Sequence, residues 1–294
     1  MKFASYQYGH HISYGVVQGD RISDLGGQFE HYPDLKSFLA HGVFGHLADK
    51  LSQCHQFSCD EVTFLPVIPN PGKIFCVGMN YAQKRQEFGE NNPAPTLFVR
   101  FADSQVGHRQ PVIKPFYSKQ FDYEGELAVV IGRSGHHIAV QDALNYVAGY
   151  SCYMDGSARD WQHAWFTAGK NWRQTGAFGP WLVSADEITD PHQLTLMTWF
   201  NGQQVQQDST ANMVHKIPEL IHYISTFSEL NPGDVIITGS PGGVGKKRNP
   251  PLFLQPGDLI EVEISQIGRL SNRVIDDDQV GVSSVIAQPM LSVS

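Results

Sequence analysis

The 294-residue chain predicts an α+β fold that is mostly β, with a small N-terminal cap domain. Three observations carry this. Apolar and β-branched runs of strand length recur along the chain, while helical periodicity is confined to short, irregularly spaced segments, which disfavours a doubly wound α/β sheet. The turns Pro232-Gly233-Asp234 and Pro256-Gly257-Asp258 each punctuate the start of a strand. Finally, Val67-Ile68-Pro69-Asn70-Pro71-Gly72 can continue neither helix nor strand. A cap of residues 1–68 is therefore expected to precede a main domain of 69–294.

In chain order, Tyr14-Gly15-Val16-Val17 and Arg21-Ile22-Ser23-Asp24-Leu25 read as a hairpin around Gly19-Asp20. A short helix follows, with Pro33 in its first turn and Leu35, Phe38 and Leu39 on one face. Beyond the seam, Lys73-Ile74-Phe75-Cys76-Val77-Gly78 is a buried-type strand. It leads through Asn80-Tyr81-Ala82 into a short helix over Gln83-Lys84-Arg85-Gln86-Glu87. Further strands are expected at 96–100, 194–200, 234–238 and 259–264, and a helix-like stretch at 142–146.

Composition narrows the function classes. With 41% hydrophobic and 17% charged residues and a net charge of −8, the chain reads as a soluble globular protein with ample core. A pI near 5.9 without a Lys/Arg run argues against nucleic acid, whose phosphates require clustered positive charge. No apolar run approaches membrane-spanning length, and Met1-Lys2-Phe3-Ala4-Ser5-Tyr6-Gln7 lacks the apolar centre of a secretory signal. The expectation is a cytoplasmic protein without a membrane partner. Cys54, Cys59, Cys76 and Cys152 fit no zinc spacing and read as reduced thiols.

The chemistry centres on Asp122-Tyr123-Glu124-Gly125-Glu126-Leu127-Ala128-Val129-Val130-Ile131. As a strand, it sets Asp122, Glu124, Glu126, Ala128 and Val130 on one face and Tyr123, Leu127, Val129 and Ile131 on the other. Two arrangements accommodate the acids. A half-exposed outer strand would leave them solvated. In a cleft, the Glu-x-Glu pair would supply two oxygen ligands to a hard cation such as Mg²⁺, Mn²⁺ or Ca²⁺. Asp155, where a β-rich run gives way to a helix start with Ser157 as its expected cap, is a candidate third ligand.

The ordered series Val77-Gly78-Met79-Asn80-Tyr81-Ala82, Glu-x-Glu-Leu-Ala-Val-Val-Ile-Gly, Asp155-Gly156-Ser157-Ala158-Arg159-Asp160-Trp161-Gln162, Lys170, Gly179-Pro180-Trp181, Asn201-Gly202 and Thr238-Gly239-Ser240-Pro241-Gly242-Gly243-Val244-Gly245 resembles the fumarylacetoacetate hydrolase superfamily over residues 71–274. The resemblance implies a mixed β-sandwich roll, usually dimeric, and a metal triad of Glu124, Glu126 and Asp155. It further implies Lys170 at the reacting carbonyl and Arg159 and Gln162 on the substrate carboxylate. Thr238, Gly239 and Ser240 would offer N–H and hydroxyl groups to a small anion. The neighbouring Ser240 to Lys247 stretch is P-loop-like only superficially, since Lys stands where the Mg²⁺-ligating Ser/Thr belongs.

In many relatives a His–Glu pair on the helix after Asn-Tyr-Ala activates water. Here Glu87 meets the acidic position, but Lys84 stands in place of His, and lysine is a poor base unless burial lowers its pKa by several units. His163 is a substitute to test. Three classes therefore stay open: a metal-dependent hydrolase of acylpyruvate-type diketo acids; a 2-oxo acid lyase, either a hydratase or a decarboxylase, of which decarboxylation needs no water-activating His; and a non-catalytic binder of such acids. The first is the principal expectation, with the metal stabilising the enolate left by C–C cleavage.

Overall fold

The computed structural model describes residues 1–42 and 47–277; the end of the expected main domain, 278–294, lies outside the described residues. Strands dominate, in sheets of twelve, five and two strands, and the helices are short. The expected hairpin forms between His11–Gln18 and Arg21–Asp24, with Gly19 at φ 62° in its two-residue turn. The first helix, Leu35–His41, begins two residues after Pro33. Asp34 is its N-cap, because its carboxylate accepts the Ser37 N–H at 2.7 Å and satisfies a donor that proline could not. Gly233 and Gly257 adopt φ of 81° and 94° and release strands Val235–Ile237 and Leu259–Ile264. Residues 140–146 form a 3₁₀ helix.

The large sheet runs from the N-terminal strands through Gly176–Ser184, Val147–Met154, Gly125–Ile131, Val235–Ile237 and Ile74–Gly78 to Thr96–Val99. It is mixed: Val235–Ile237 pairs parallel with Ile74–Gly78, whereas Gly125–Ile131 is antiparallel to both neighbours. Strand Lys2–Tyr8 joins this sheet through Lys2↔Val183 and Phe3↔Leu182, so the N-terminal strands extend the main sheet.

Strand Gly125–Ile131 is buried along its whole length. Leu127, Val129 and Ile131 pack with Leu196, Val262 and Leu270 of the five-stranded sheet. Ala128 and Val130 pack on the other side with Phe3, Leu35 and Phe38. The two faces follow the expected alternation, but neither meets solvent. Packing on both faces thus buries the strand from which the acidic residues emerge. No helix among the described residues is long and apolar enough to cross a membrane.

Candidate metal and substrate site

The three acids come together through strand pairing. Gly125↔Met154 and Glu126↔Tyr153 fix the register of Gly125–Ile131 against Val147–Met154. Asp155, the next residue, therefore lies beside Glu124, and its N–H donates to the Glu124 carbonyl at 2.8 Å. One carboxylate oxygen from each of Glu124, Glu126 and Asp155 lies within 4.8 Å of the others. All three side chains are buried, which removes the solvated-strand alternative. Asp122 departs from this face. Its carboxylate accepts from the N–H groups of Gly245 at 2.7 Å and Lys246 at 3.1 Å and from Arg159 Nε at 2.8 Å.

Four cationic side chains, also buried, surround the acids. Lys84, from helix Ala82–Phe88, donates to Glu124 Oε1 and to Ser240 Oγ. Lys170 bridges Glu124 Oε2, at 2.5 Å, and Asp155 Oδ2. It ends the four-residue helix Thr167–Lys170 rather than standing in a loop or at the surface. Arg159 NH2 lies 3.1 Å from Glu124 Oε1, and its NH1 donates to Gln162 Oε1 at 3.3 Å. Arg100 NH1 donates to Asp155 Oδ1 and to the Gly156 carbonyl, approaching from the protein side.

The electrostatics separate the two glutamates. Burial opposes ionisation of Glu124, but Arg159, Lys170 and Lys84 together hold its carboxyl well below the usual carboxylate range. Burial, reinforced by the charges of Asp155 and Glu124, pushes Glu126 well above that range. Burial also opposes the charge on Lys170, and the adjacent Asp155 and Glu124 overcome it, raising its pKa.

A pocket opens over this cluster. Lys84, the three acids, Arg159, Gln162 and Lys170 line it, with Val77, Phe98 and Phe166 as apolar wall. Gln162 Nε2 is buried without a hydrogen-bond partner. Glu87 is not part of the lining: its carboxylate accepts the Gly243 N–H at 3.2 Å. His163 is exposed and also outside the lining. The Thr238-Gly239-Ser240 turn serves the acids: Thr238 Oγ1 donates to the Leu127 carbonyl, Gly239 N–H to Glu126 Oε2 at 2.6 Å, and Ser240 Oγ to Glu124 Oε1 at 3.3 Å. The anion that this turn meets is the chain's own carboxylate. Ser157 caps no helix; its hydroxyl donates to Glu124 Oε2 at 2.9 Å. The segment after Ser240 carries only a three-residue 3₁₀ turn, Gly245–Lys247, so no phosphate-binding helix follows the glycines.

Buried carboxylates with no thiol or imidazole in the lining are a donor set for a hard divalent cation. Asp122, Glu124, Glu126 and Asp155 face Lys84, Arg100, Arg159 and Lys170, four formal charges of each sign. A bound divalent cation would leave this cluster with an excess of two positive charges, a match for a dianionic ligand. Arg100, Ser157, Phe98 and Phe166 are the site residues that sequence reading missed. A lone arginine closing the apolar run Thr96-Leu97-Phe98-Val99 was the available signal for Arg100.

Residues 73–275 match the family described as fumarylacetoacetate (FAA) hydrolase, C-terminal. The chain is 43% identical over 277 residues to a mitochondrial oxaloacetate tautomerase of Xenopus laevis, covering 90% of this chain and 86% of that protein. It is 44% identical over 224 residues to a human protein of the same description, covering 73% and 70%. Among solved structures, a fumarylacetoacetate hydrolase from Exiguobacterium antarcticum superposes with a TM-score of 0.84 at 32% identity, over 94% of this chain and 99% of that one. A maleylpyruvate hydrolase from Sphingobium sp. SYK-6, in complex with manganese(II) and pyruvate, gives a TM-score of 0.81 at 27% identity over 94% and 99%. With the family match spanning more than half the chain and the acidic cluster at its centre, this protein belongs to the fumarylacetoacetate hydrolase family.

Proposed function

We propose that this chain is a divalent-metal-dependent enzyme for a small 2-oxo diacid of the oxaloacetate type, interconverting its enol and keto forms. The observation that carries this is the pairing of Lys84 with Glu124 inside the cavity, while Glu87 is engaged with the Gly243 N–H outside it. An ion-paired ammonium is an acid. It suits protonation of the enol carbon and does not suit activation of water, which requires a base.

In the enol-to-keto direction, Lys84 Nζ delivers a proton to the carbon beside the future keto group. The enol hydroxyl gives up its proton, which returns to Lys84, so one proton moves from oxygen to carbon and no C–C bond breaks. Lys170 Nζ faces the oxygen that carries negative charge in transit, and Arg159, with the unpartnered Gln162 Nε2 beside it, orients a carboxylate. Gly239 and Ser240 act by holding Glu126 and Glu124, and Thr238 ties their turn to the Leu127 carbonyl. When bound by Glu124, Glu126 and Asp155, the cation supplies electrostatic stabilisation of the enolate oxygen. The charge excess supports a dianionic acid, and the relatives described as oxaloacetate tautomerases support a four-carbon diacid and the reaction.

The second reading is hydrolysis of an acylpyruvate, supported by the likeness to maleylpyruvate hydrolase. It uses the same enolate stabilisation but needs a water-activating base; decarboxylation of oxaloacetate is its base-free counterpart. The discriminating experiment follows enol–keto interconversion of oxaloacetate, and pyruvate release from oxaloacetate and an acylpyruvate panel, with Mg²⁺ or Mn²⁺ and after chelation. Metal-dependent interconversion without matching pyruvate release is expected. Pyruvate release from an acylpyruvate without accelerated interconversion would overturn the proposal in favour of hydrolysis.

A further inference from the structure

We infer that Arg100 is a positioning residue that sets the metal preference of this site, favouring Mg²⁺ and Mn²⁺ over Ca²⁺, an inference that rests on the metal-dependent reading above. The argument is an account of carboxylate oxygens. Arg100 is fully buried and does not line the cavity. Its guanidinium is itself fixed: Nε donates to Ser104 Oγ at 3.2 Å, NH2 to Thr175 Oγ1 at 2.8 Å and to the Ser104 carbonyl at 3.3 Å, and NH1 to the Gly156 carbonyl at 3.0 Å. Held this way, it takes Asp155 Oδ1 from behind and leaves Oδ2 turned toward Lys170. Gly239 N–H does the same to Glu126, committing Oε2 at 2.6 Å. Glu124 has both oxygens engaged, Oε1 by Lys84, Arg159 and Ser240 and Oε2 by Ser157 and Lys170.

Each acid therefore presents at most one uncommitted side to a cation. Ca²⁺ reaches its six to eight oxygen ligands by drawing on bidentate carboxylates at about 2.3–2.6 Å, whereas Mg²⁺ takes six at about 2.0–2.1 Å and accepts single oxygens together with water or substrate. A site that withholds the second oxygen of Asp155 and Glu126 forfeits the ligands that Ca²⁺ needs. Of the two withheld oxygens, that of Asp155 is held by a side chain, so mutation can release it.

The test is competitive binding. Mn²⁺ is titrated into metal-free protein by electron paramagnetic resonance and then displaced with Ca²⁺, for wild type, Arg100→Met, Arg100→Lys and Thr175→Val, each checked for fold by circular dichroism. Wild type should bind Mn²⁺ at least about tenfold more tightly than Ca²⁺, the lower end of what outer-shell partners contribute to metal affinity. Arg100→Met should erase most of that preference. Arg100→Lys, which still donates to Oδ1, should retain it, and Thr175→Val should lower it about two- to threefold by loosening Arg100. If Arg100→Met does not fold, Thr175→Val and the wild-type ratio decide. Mn²⁺ binding with an unchanged ratio in the variants, or Ca²⁺ displacing Mn²⁺ from wild type at equal concentration, would overturn this inference alone. A wild-type protein that binds no Mn²⁺ would overturn it together with the metal-dependent reading.

Discussion

Replacing Lys84 by Met separates proton transfer from metal binding, because the first is proposed for Lys84 and the second for Glu124, Glu126 and Asp155. The substitution keeps the length of the stem and removes the ammonium that meets Glu124 Oε1 and Ser240 Oγ. Glu124 is not stranded: Arg159 NH2 at 3.1 Å, Lys170 at 2.5 Å and Ser157 Oγ at 2.9 Å remain. Breaking a buried ion pair costs about 3–5 kcal/mol when the partner is left alone. Here the loss should be about 1–2 kcal/mol, a drop in Tm of a few degrees for a chain of this size. Mn²⁺ affinity should hold or rise, since one competing positive charge has left the donor set. Interconversion at saturating Mn²⁺ should fall by roughly 10²–10⁴-fold, the usual contribution of a positioned acid or base. Stopped-flow interconversion and a Mn²⁺ titration on the same preparation measure both. Turnover within about threefold of wild type would refute Lys84 as the proton carrier. A parallel loss of Mn²⁺ affinity would show that the lysine supports the metal site instead.

Three further outcomes follow from the same contacts. Glu126→Gln should melt above wild type at pH 7 in metal-free protein, because a carboxyl whose folded pKa is raised destabilises the fold once pH exceeds the unfolded value, about 4.3. The difference should close as pH falls through that value, and excess Mn²⁺ should reverse the order by binding wild type more tightly; thermal melts at several pH values check it. Glu87→Gln should alter interconversion less than about threefold, since the carboxylate accepts from Gly243 and Gln83 outside the cavity; a loss of about 10²-fold would reinstate a base on this helix. Asp122→Asn should raise KM for the diacid about tenfold with a smaller change in kcat, because Arg159 loses the charged acceptor that orients it, and steady-state kinetics would show an equal loss in kcat if that reasoning fails.

Much of this site was legible because its parts are local. Alternation along Leu127-Ala128-Val129-Val130-Ile131 gave the two faces correctly, and the break after Met154 located the third acid. What escaped was whatever depends on contacts distant in sequence. Arg100 meets Asp155 across 55 positions, and Asp122 turns to the Gly245 N–H across 123, so strand periodicity alone left Asp122 with the metal face. The complete burial of Gly125–Ile131 was equally hidden. Its outer cover comes partly from Leu35 and Phe38 in the N-terminal segment, and no local pattern announces that packing.

The most direct test of the account is the position of a bound cation. Crystals grown with Mn²⁺ should show one strong anomalous peak among the carboxylates of Glu124, Glu126 and Asp155, with Lys170 displaced from the oxygens it now holds. A fully occupied peak elsewhere, or none at these carboxylates with millimolar Mn²⁺ present, would contradict it.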